Sequence, residues 1–322
     1  IVCGGGVVIS RGEASLSEFA ETLNLPVATT ISGQGSLPET HPNCVGVVGS
    51  NGGIEATRKI IDNADLVLFL SCRAGSVTTE RWSSPNHKTR ILHIDSDPMV
   101  ISANYPTEVG MVCDARLGLN ALNSALRKRG EISTEFRGKE RASVAKSEKA
   151  KYFAELSGSA VSPILPERLI ADLQKVLPED AVIVADPGTP CPYVSAYYEL
   201  PKAGRYFISN RAHGALGYSM PATIGAAFGR PNSKIVGIMG DGSFGFTAGE
   251  LESVVRYNIP VTLLVCSNSV FGWIKAGQKA GFGERYFSVD FSCTRHDAVA
   301  EAFGLQAFRV DDPAELQSTL VK

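Results

Sequence analysis

Short apolar runs rich in Val, Ile and Leu alternate with helical patterns along nearly the whole chain. Runs that are apolar on both faces, and not on one face only, are typical of parallel strands covered by helices on both sides. This alternation favours an α/β fold built on parallel sheets. Six such runs are predicted to be strands: residues 26–31, 66–71, 90–95, 181–185, 235–240 and 261–267.

One segment interrupts the alternation. Residues 127–151 contain nine Lys or Arg and four Glu. Such a run is more typical of a solvated helical linker than of a basic binding patch. We therefore predict two doubly wound, Rossmann-like parallel-sheet domains at 1–130 and 161–322, joined by a charged helical linker at 131–160.

The two ends of the chain suggest a piece of a longer polypeptide. The sequence opens in a strand-like run, Ile1-Val2-Cys3, followed by Gly4-Gly5-Gly6, and it stops at Lys322 inside a helical pattern. A helix of that kind normally leads to another strand. We expect the second domain to be truncated at its C-terminus.

Composition narrows the possible partners and the compartment. The chain has 322 residues and a net charge of −2, which gives no basic footprint for nucleic acid or an anionic membrane. It has no apolar run of the roughly 18–20 residues that a membrane span needs. Its seven cysteines form no C-x-x-C pair, which favours a reducing compartment over a disulfide or zinc framework. We expect a soluble, cytoplasmic, two-domain protein.

The chemistry-bearing residues follow two of the predicted strands. Gly240-Asp241-Gly242-Ser243 ends the strand at 235–240, and Asn268 ends the next one. We expect the helix between them to begin at a capping box formed by Thr247 and Glu250. A strand–helix–strand crossover makes the two strands parallel and neighbours. Asp241 and Asn268 should then meet at the carboxyl edge of the sheet, where open α/β folds bind their ligands.

These residue types suit a particular ligand. One carboxylate and one amide oxygen suit a hard divalent cation that keeps its other ligands for phosphate and water. The glycines let the backbone approach phosphate oxygens, and Ser243 adds N–H and O–H donors. Gly-Asp-Gly alone is equally typical of a structural turn. The pairing of Asp241 with Asn268 is what favours a metal and phosphate site.

This pair of motifs resembles the cofactor signature of thiamine-diphosphate enzymes, and acetolactate synthase-like members are the most similar in pattern. The resemblance implies binding of thiamine diphosphate and Mg²⁺. It implies that Asp241, Asn268 and the backbone carbonyl of Val270 are metal ligands, and that Gly240, Gly242 and Ser243 also contact the cofactor. Ser269 stands where the family often has a second Asn, which is not a ligand.

Two other segments are similar to the same family. The segment at 213–222 resembles the family's turn before a Pro-started helix. In that turn a bulky apolar side chain wedges between the cofactor rings, which implies that role for Leu216 and a contact from the Gly214 carbonyl. The alternative is a plain glycine-rich turn with Pro221 at the first helical position. His213 borders this turn and is this chain's candidate for a direct catalytic role.

The loop at 186–190 resembles the family's diphosphate-contacting loop. The resemblance implies contacts from Gly188 and Thr189, while Pro190 replaces a residue that could donate its N–H. Beyond Asn268, the substrate-contacting Trp of the acetolactate synthase pattern falls at Gly277. Trp273, Lys275 and Gln278 would then line that segment, with core packing as the alternative for Trp273.

Residues 1–130 resemble the central domain of these enzymes, which in some members holds FAD or an ADP moiety. The segment His93-Ile94-Asp95-Ser96-Asp97-Pro98 matches that domain. A lone Gly4-Gly5-Gly6 is weak support for a nucleotide, and residues 73–81 lack a clear FAD signature. Bound FAD stays an alternative that we do not favour.

The resemblance implies an enzyme acting on 2-oxo acids, by decarboxylation with or without joining to a second carbonyl compound. Other thiamine-diphosphate decarboxylases and acyl-CoA lyases stay alternatives, as does a non-catalytic nucleotide- or CoA-binding module. In the family, the Glu that activates the cofactor lies in an N-terminal domain that this sequence lacks. We therefore expect the chain alone to be inactive, and the intact protein to be a homodimer or homotetramer, because the family's active sites lie between subunits.

Overall fold

The computed structural model describes residues 1–130 and 136–322, so residues 131–135 of the predicted linker lie outside the described residues. These residues divide into two units, each with its own sheet. The first unit comprises Ile1–Glu155 and Ser195–Tyr206, and the second comprises Leu156–Val194 and Phe207–Lys322. Within the described ranges, no helix has the length and apolar character needed to cross a membrane.

A six-stranded sheet forms the centre of the first unit, and all its strand pairs are parallel. Its strand order is β3-β2-β1-β4-β5-β6, so the chain winds outward in both directions from β1. This is the order of a doubly wound Rossmann fold. The strands are β1 (Val2–Cys3), β2 (Val27–Thr29), β3 (Cys44–Val47), β4 (Leu66–Leu70), β5 (Arg90–Asp95) and β6 (Val109–Val112). The helices are α1 (Gly6–Ile9), α2 (Glu13–Leu23), α3 (Glu55–Asp62), α4 (Ala115–Arg129) and α5 (Gly138–Ser157).

Helix α5 occupies most of the predicted linker. It is helical as predicted, but it is not solvated on all sides. Ala142 and Ala145 are buried in the core of the first unit with Val45 and Phe69, and the N–H of Gly138 donates to the carbonyl of Asn24 at 2.7 Å. Small side chains three residues apart lie on one face of a helix, so that face can pack closely against the core. The number of charged residues in the segment does not reveal this face.

A four-stranded parallel sheet forms the centre of the second unit, in the order β10-β9-β7-β8. Its strands are β7 (Val182–Ala185), β8 (Phe207–Ile208), β9 (Ile235–Gly240) and β10 (Val261–Cys266). The helices from here to the C-terminus are α6 (Pro166–Val176), α7 (Pro190–Tyr197), α8 (Ser219–Gly229), α9 (Asp241–Thr247), α10 (Leu251–Arg256), α11 (Gly272–Gly281), α12 (His296–Ala302) and α13 (Pro313–Leu320). The chain winds away from β7 to one side and from β9 to the other, so the switch point lies between these two strands.

The predicted fold class is confirmed, since both sheets are parallel and flanked by helices. All six predicted strands form, with ends within two residues of the predicted ones. Three strands were missed: β3, β6 and β8. Strand β8 has two residues, β3 and β6 each include a glycine, and β6 is largely exposed, so none reads as a long apolar run.

Candidate functional site

The carboxyl ends of β9 and β10 lie side by side, as the crossover predicted. Their pairing places Gly240 opposite Cys266. Asp241 follows at once and is buried, and its Oδ2 accepts hydrogen bonds from the backbone N–H groups of Asn268, at 3.0 Å, and Ser269. Burial, to which the Asp241 charge adds, raises the pKa of Cys266 to about 11. Asp241 and Asn268 are therefore neighbours at one sheet edge.

The helix after the glycine motif begins at Asp241, so the predicted start at Thr247 is wrong. Thr247 makes no capping bond, and its hydroxyl donates to the carbonyl of Gly217 at 3.3 Å. Asp241 Oδ1 accepts from the N–H of Gly242 at 2.8 Å, which satisfies a donor of the first turn. A carboxylate at the start of a helix is stabilised by the helix dipole. The helix therefore begins at Asp241 and not at the capping box predicted six residues later.

The segment after Asn268 presents the backbone of Val270 toward the same side. Val270 pairs with Asp290 in an antiparallel bridge whose hydrogen bonds use the carbonyl of Ser269 and the N–H of Phe271. The N–H and C=O of Val270 therefore point away from the bridge, and the N–H donates to Asn268 Oδ1 at 3.2 Å. The carbonyl of Val270 faces the side occupied by the Asn268 amide.

Asp186 stands at the end of β7, next to β9 at the switch point. Its side chain is fully buried. Oδ2 accepts from the N–H of Gly217 at 3.0 Å and from the N–H and hydroxyl of Ser219 at 3.3 and 3.2 Å, while Oδ1 accepts from the hydroxyl of Ser243 at 2.7 Å. The sequence motif identifies this loop but does not reveal a role for Asp186. Its position directly after a buried strand was the available signal.

The predicted cofactor residues of three loops come together. A Cβ atom added to Gly188 would lie 3.2 Å from Leu216 Cδ2, so these two residues touch. A Cβ atom added to Gly272 would lie 2.9 Å from Thr189 Oγ1 and 3.9 Å from Asn268 Nδ2. The loop after β7 therefore contacts both the Leu216 turn and the segment that follows β10.

The turn before α8 differs from its prediction in one detail. Helix α8 begins at Ser219, so Pro221 is the third helical residue and not the first. Proline is accommodated there because the first-turn N–H groups have no partner within the helix. Gly217 adopts φ +84°, a left-handed conformation that favours glycine, and a Cβ atom there would lie 3.0 Å from Phe246.

His213 and Gly214 lie at the outer end of this turn. Both are exposed, and their N–H groups donate to the side chain and the carbonyl of Asn210. Arg211 Nη1 donates to the carbonyl of Pro187 at 2.6 Å, which ties the turn to the loop after β7. The structure places His213 on the surface of the turn. Its hydrogen bond to Asn210 ties it to the turn and does not link it to Asp241.

Helix α11 holds the side chains predicted to line the segment beyond Asn268. The side chain of Trp273 is 44% exposed, so the alternative prediction that Trp273 packs in the core is wrong. Lys275 Nζ forms an ion pair with Asp290 at 2.7 Å. The Gln278 amide donates to the carbonyl of Phe287 and accepts from its N–H. Lys275 and Gln278 thus hold the segment at 287–290 beside α11.

The donor set at the β9–β10 edge fits a hard cation. Asp241 offers carboxylate oxygens, Asn268 an amide oxygen and Val270 a carbonyl, which are the oxygen ligands that Mg²⁺ takes alongside substrate phosphates. A Cβ atom added to Gly240 or Gly214 would meet no atom within 4 Å, so the backbone is open to a ligand there. In the described ranges, no group of three or more His, Cys, Asp or Glu is placed to hold a metal.

Comparison with known proteins identifies both domains. Residues 1–122 match the family model "Thiamine pyrophosphate enzyme, central domain", and residues 186–322 match "Thiamine pyrophosphate enzyme, C-terminal TPP binding domain". The predicted loop at 186–190 and all the predicted site residues lie within the second match.

Similar curated proteins agree with these matches. The probable acetolactate synthase large subunit of Methanocaldococcus jannaschii is 31% identical over 329 residues, covering 99% of this chain and 54% of the relative. Acetolactate synthase isozyme 3 large subunit of Escherichia coli K12 is 29% identical over 328 residues, covering 99% and 55%. The chain thus spans about half the length of the curated relatives it matches. The chain belongs to the thiamine pyrophosphate enzymes and contains the central domain and the C-terminal TPP-binding domain of that family.

Proposed function

We propose that this chain binds thiamine diphosphate together with Mg²⁺ at the carboxyl edge of β7, β9 and β10. We further propose that it forms part of an acetolactate synthase-like enzyme acting on 2-oxo acids. The observation that carries the proposal is the joining of Asp241 to the Asn268 segment by hydrogen bonds at 3.0 Å and shorter. A nucleotide-binding module would not require this paired carboxylate and amide.

Each residue has a role in this proposal that follows from its chemistry. Asp241, Asn268 and the carbonyl of Val270 hold the cation. The backbone at Gly188, Gly240 and Gly242 and the hydroxyls of Thr189 and Ser243 bind the diphosphate, and Gly214 and Leu216 contact the thiamine part. When bound, thiamine diphosphate supplies carbanion stabilisation, while the protein supplies binding and orientation.

The acid that activates the cofactor is not assigned to this chain. Glu250 and Glu252, the carboxylates nearest the motif in sequence, follow α9, and both are exposed; Glu250 Oε2 accepts from the hydroxyl of Ser253. Proton transfer by a positioned group contributes about 10²–10⁴-fold to a rate. We therefore propose that residues 1–322 bind the cofactor but do not turn over 2-oxo acids without a further domain.

Isothermal titration of the chain with thiamine diphosphate, with and without Mg²⁺, tests the binding proposal. We expect saturable binding that needs Mg²⁺, and an assay on pyruvate and other 2-oxo acids that gives product only after an N-terminal domain is added. Binding of ADP or CoA in place of thiamine diphosphate would contradict the proposal. Turnover by the chain alone would contradict the assignment of the activating acid elsewhere.

A further inference from the structure

Asp186 is a buried carboxylate, and among the described residues its four hydrogen bonds all come from neutral donors. They run from Gly217, from Ser219 twice and from Ser243, over 2.7–3.3 Å. Burying a charge is costly unless hydrogen bonds replace its water, and here each oxygen has a partner. An apolar side chain would fill the same place at lower cost if nothing but packing were needed.

The donors come from two separate segments, 31, 33 and 57 residues away. Gly217 and Ser219 directly follow Leu216, the residue proposed to contact the thiamine part of the cofactor. Ser243 lies two residues after Asp241, in the helix that begins at the metal side. Asp186 therefore links the segment for one end of the cofactor to the segment for the other end.

The backbone of Asp186 is held at the end of an internal strand. Asp186 directly follows β7, which pairs with both β8 and β9, and its N–H donates to the carbonyl of Ile238 in β9 at 2.9 Å. A side chain held at the end of an internal strand fixes its partners more precisely than one on a free loop.

We propose that Asp186 is a positioning residue that fixes the Leu216 turn relative to the helix carrying Asp241, so that both ends of thiamine diphosphate are held at once. This role rests on the proposed function. Asp186 acts through Gly217, Ser219 and Ser243 and does not itself touch the cofactor.

The test compares two ligands that share one end. Inorganic diphosphate with Mg²⁺ needs the Asp241 side and the loop after β7 but not the Leu216 turn, whereas thiamine diphosphate with Mg²⁺ needs the Leu216 turn as well. Asp186→Ala removes the hydrogen bonds that hold the Leu216 turn. We therefore expect it to lower the affinity for thiamine diphosphate about 10- to 100-fold, while the affinity for inorganic diphosphate changes little. Calorimetry on the folded chain measures both affinities.

Asp186→Asn should retain most of the affinity for thiamine diphosphate that Asp186→Ala loses. The amide oxygen can accept from the two N–H groups on the Leu216 side, and its NH₂ can donate to Ser243, whose hydroxyl can turn to accept. Asp172, which is equally buried in α6, is the matched control. Asp172→Ala should lower the free energy of unfolding and leave the ratio of the two affinities unchanged.

If Asp186→Ala does not fold, Ser219→Ala removes a single donor and should shift the ratio in the same direction, by about 3- to 10-fold. The positioning role would be overturned if the folded Asp186→Ala variant bound both ligands equally weakly, or bound both as the parent does. If Asp186→Ala does not fold, the same two outcomes for Ser219→Ala would overturn it. Failure of the unmodified chain to bind either ligand would instead overturn the proposed function, and the positioning role with it.

Discussion

Oδ2 of Asp241 accepts a hydrogen bond of 3.0 Å from the backbone N–H of Asn268, 27 residues further along the chain. The carboxylate that follows β9 thereby holds the first turn after β10. The same group is the proposed metal ligand, so the residue that would bind the cation also fixes the backbone of Asn268, the second proposed ligand. Preorganisation of this kind lowers the cost of binding, because the ligands are already in place.

The first prediction concerns this carboxylate. Asp241→Ala should abolish the Mg²⁺-dependent part of thiamine-diphosphate binding, a loss of at least ~100-fold, since even residues that only support a metal ligand cost about 10- to 100-fold in metal affinity. Titration calorimetry with and without Mg²⁺ measures it. Glu252→Ala, an exposed acid on α10, is the control and should bind as the parent does. Unchanged affinity for Asp241→Ala would refute the metal site.

The second prediction tests the contact between Gly188 and Leu216. An alanine Cβ at 188 would lie 3.2 Å from Leu216 Cδ2, which is tight enough to displace that side chain. Gly188→Ala should therefore be better tolerated when Leu216 is shortened to Ala, with a coupling free energy of about 0.5–3 kcal/mol in a double-mutant cycle. Unfolding in urea measures the four free energies. Additive effects would show that the two residues do not touch.

The third prediction concerns the buried carboxylate of Asp172 in α6 and its ion pairs. Asp172 accepts from Arg168 at 2.7 Å and from Lys175 at 2.9 Å, and Arg168 also donates to the carbonyls of Ser159 and Pro313. Asp172→Ala would leave the mostly buried Arg168 without its carboxylate and should cost about 3–5 kcal/mol of unfolding free energy. Asp62→Ala removes an exposed i,i+4 pair with Arg58 and should cost less than about 1 kcal/mol. Equal losses would contradict the burial argument.

The fourth prediction is a pH dependence in the first unit. Glu39 is buried beside Gln34 and 4.0 Å from Lys149, and burial raises the pKa of its carboxyl above 4.5. The folded state then holds this proton more tightly than the unfolded state, so stability is lost as the pH rises from 4.5 through the folded pKa. Glu39→Gln should lack this loss, and its advantage over the parent should grow across that range.

Urea unfolding at a series of pH values measures the difference between the Glu39→Gln variant and the parent. The comparison cancels the other titrating groups, which both proteins share. Parallel stability curves for the two proteins would show that Glu39 has the same affinity for its proton in both states.

The fifth prediction concerns thiol reactivity. All seven cysteines lie within the described residues as thiols, and Cys293 is exposed. Burial raises the pKa of Cys3, Cys44 and Cys72 to about 12, and the thiolate is the reactive form. An aromatic disulfide reagent at neutral pH should modify one thiol rapidly in the folded chain and all seven in urea. Cys293→Ser should remove the rapid phase, and a second rapid thiol in that variant would contradict the assignment.

Much of the fold could be predicted from local patterns. The runs at 235–240 and 261–267 are mostly apolar, which identified two parallel strands, and the single crossover between them made them neighbours. That was enough to place Asp241 beside Asn268. The two-residue strand β8 could not be found in this way, because it carries no periodic signal of its own.

The sequence by itself determined the parallel sheets, the family and the meeting of Asp241 with Asn268, since each depends on short-range patterns and one local connection. Only the tertiary structure decided that Asp186 joins two distant turns, that α9 begins at Asp241 and that α5 packs onto the first unit. The reason is physical: periodicity is written into neighbouring residues, whereas the partners of a buried polar group depend on which distant segments the packed core brings within about 3 Å of it.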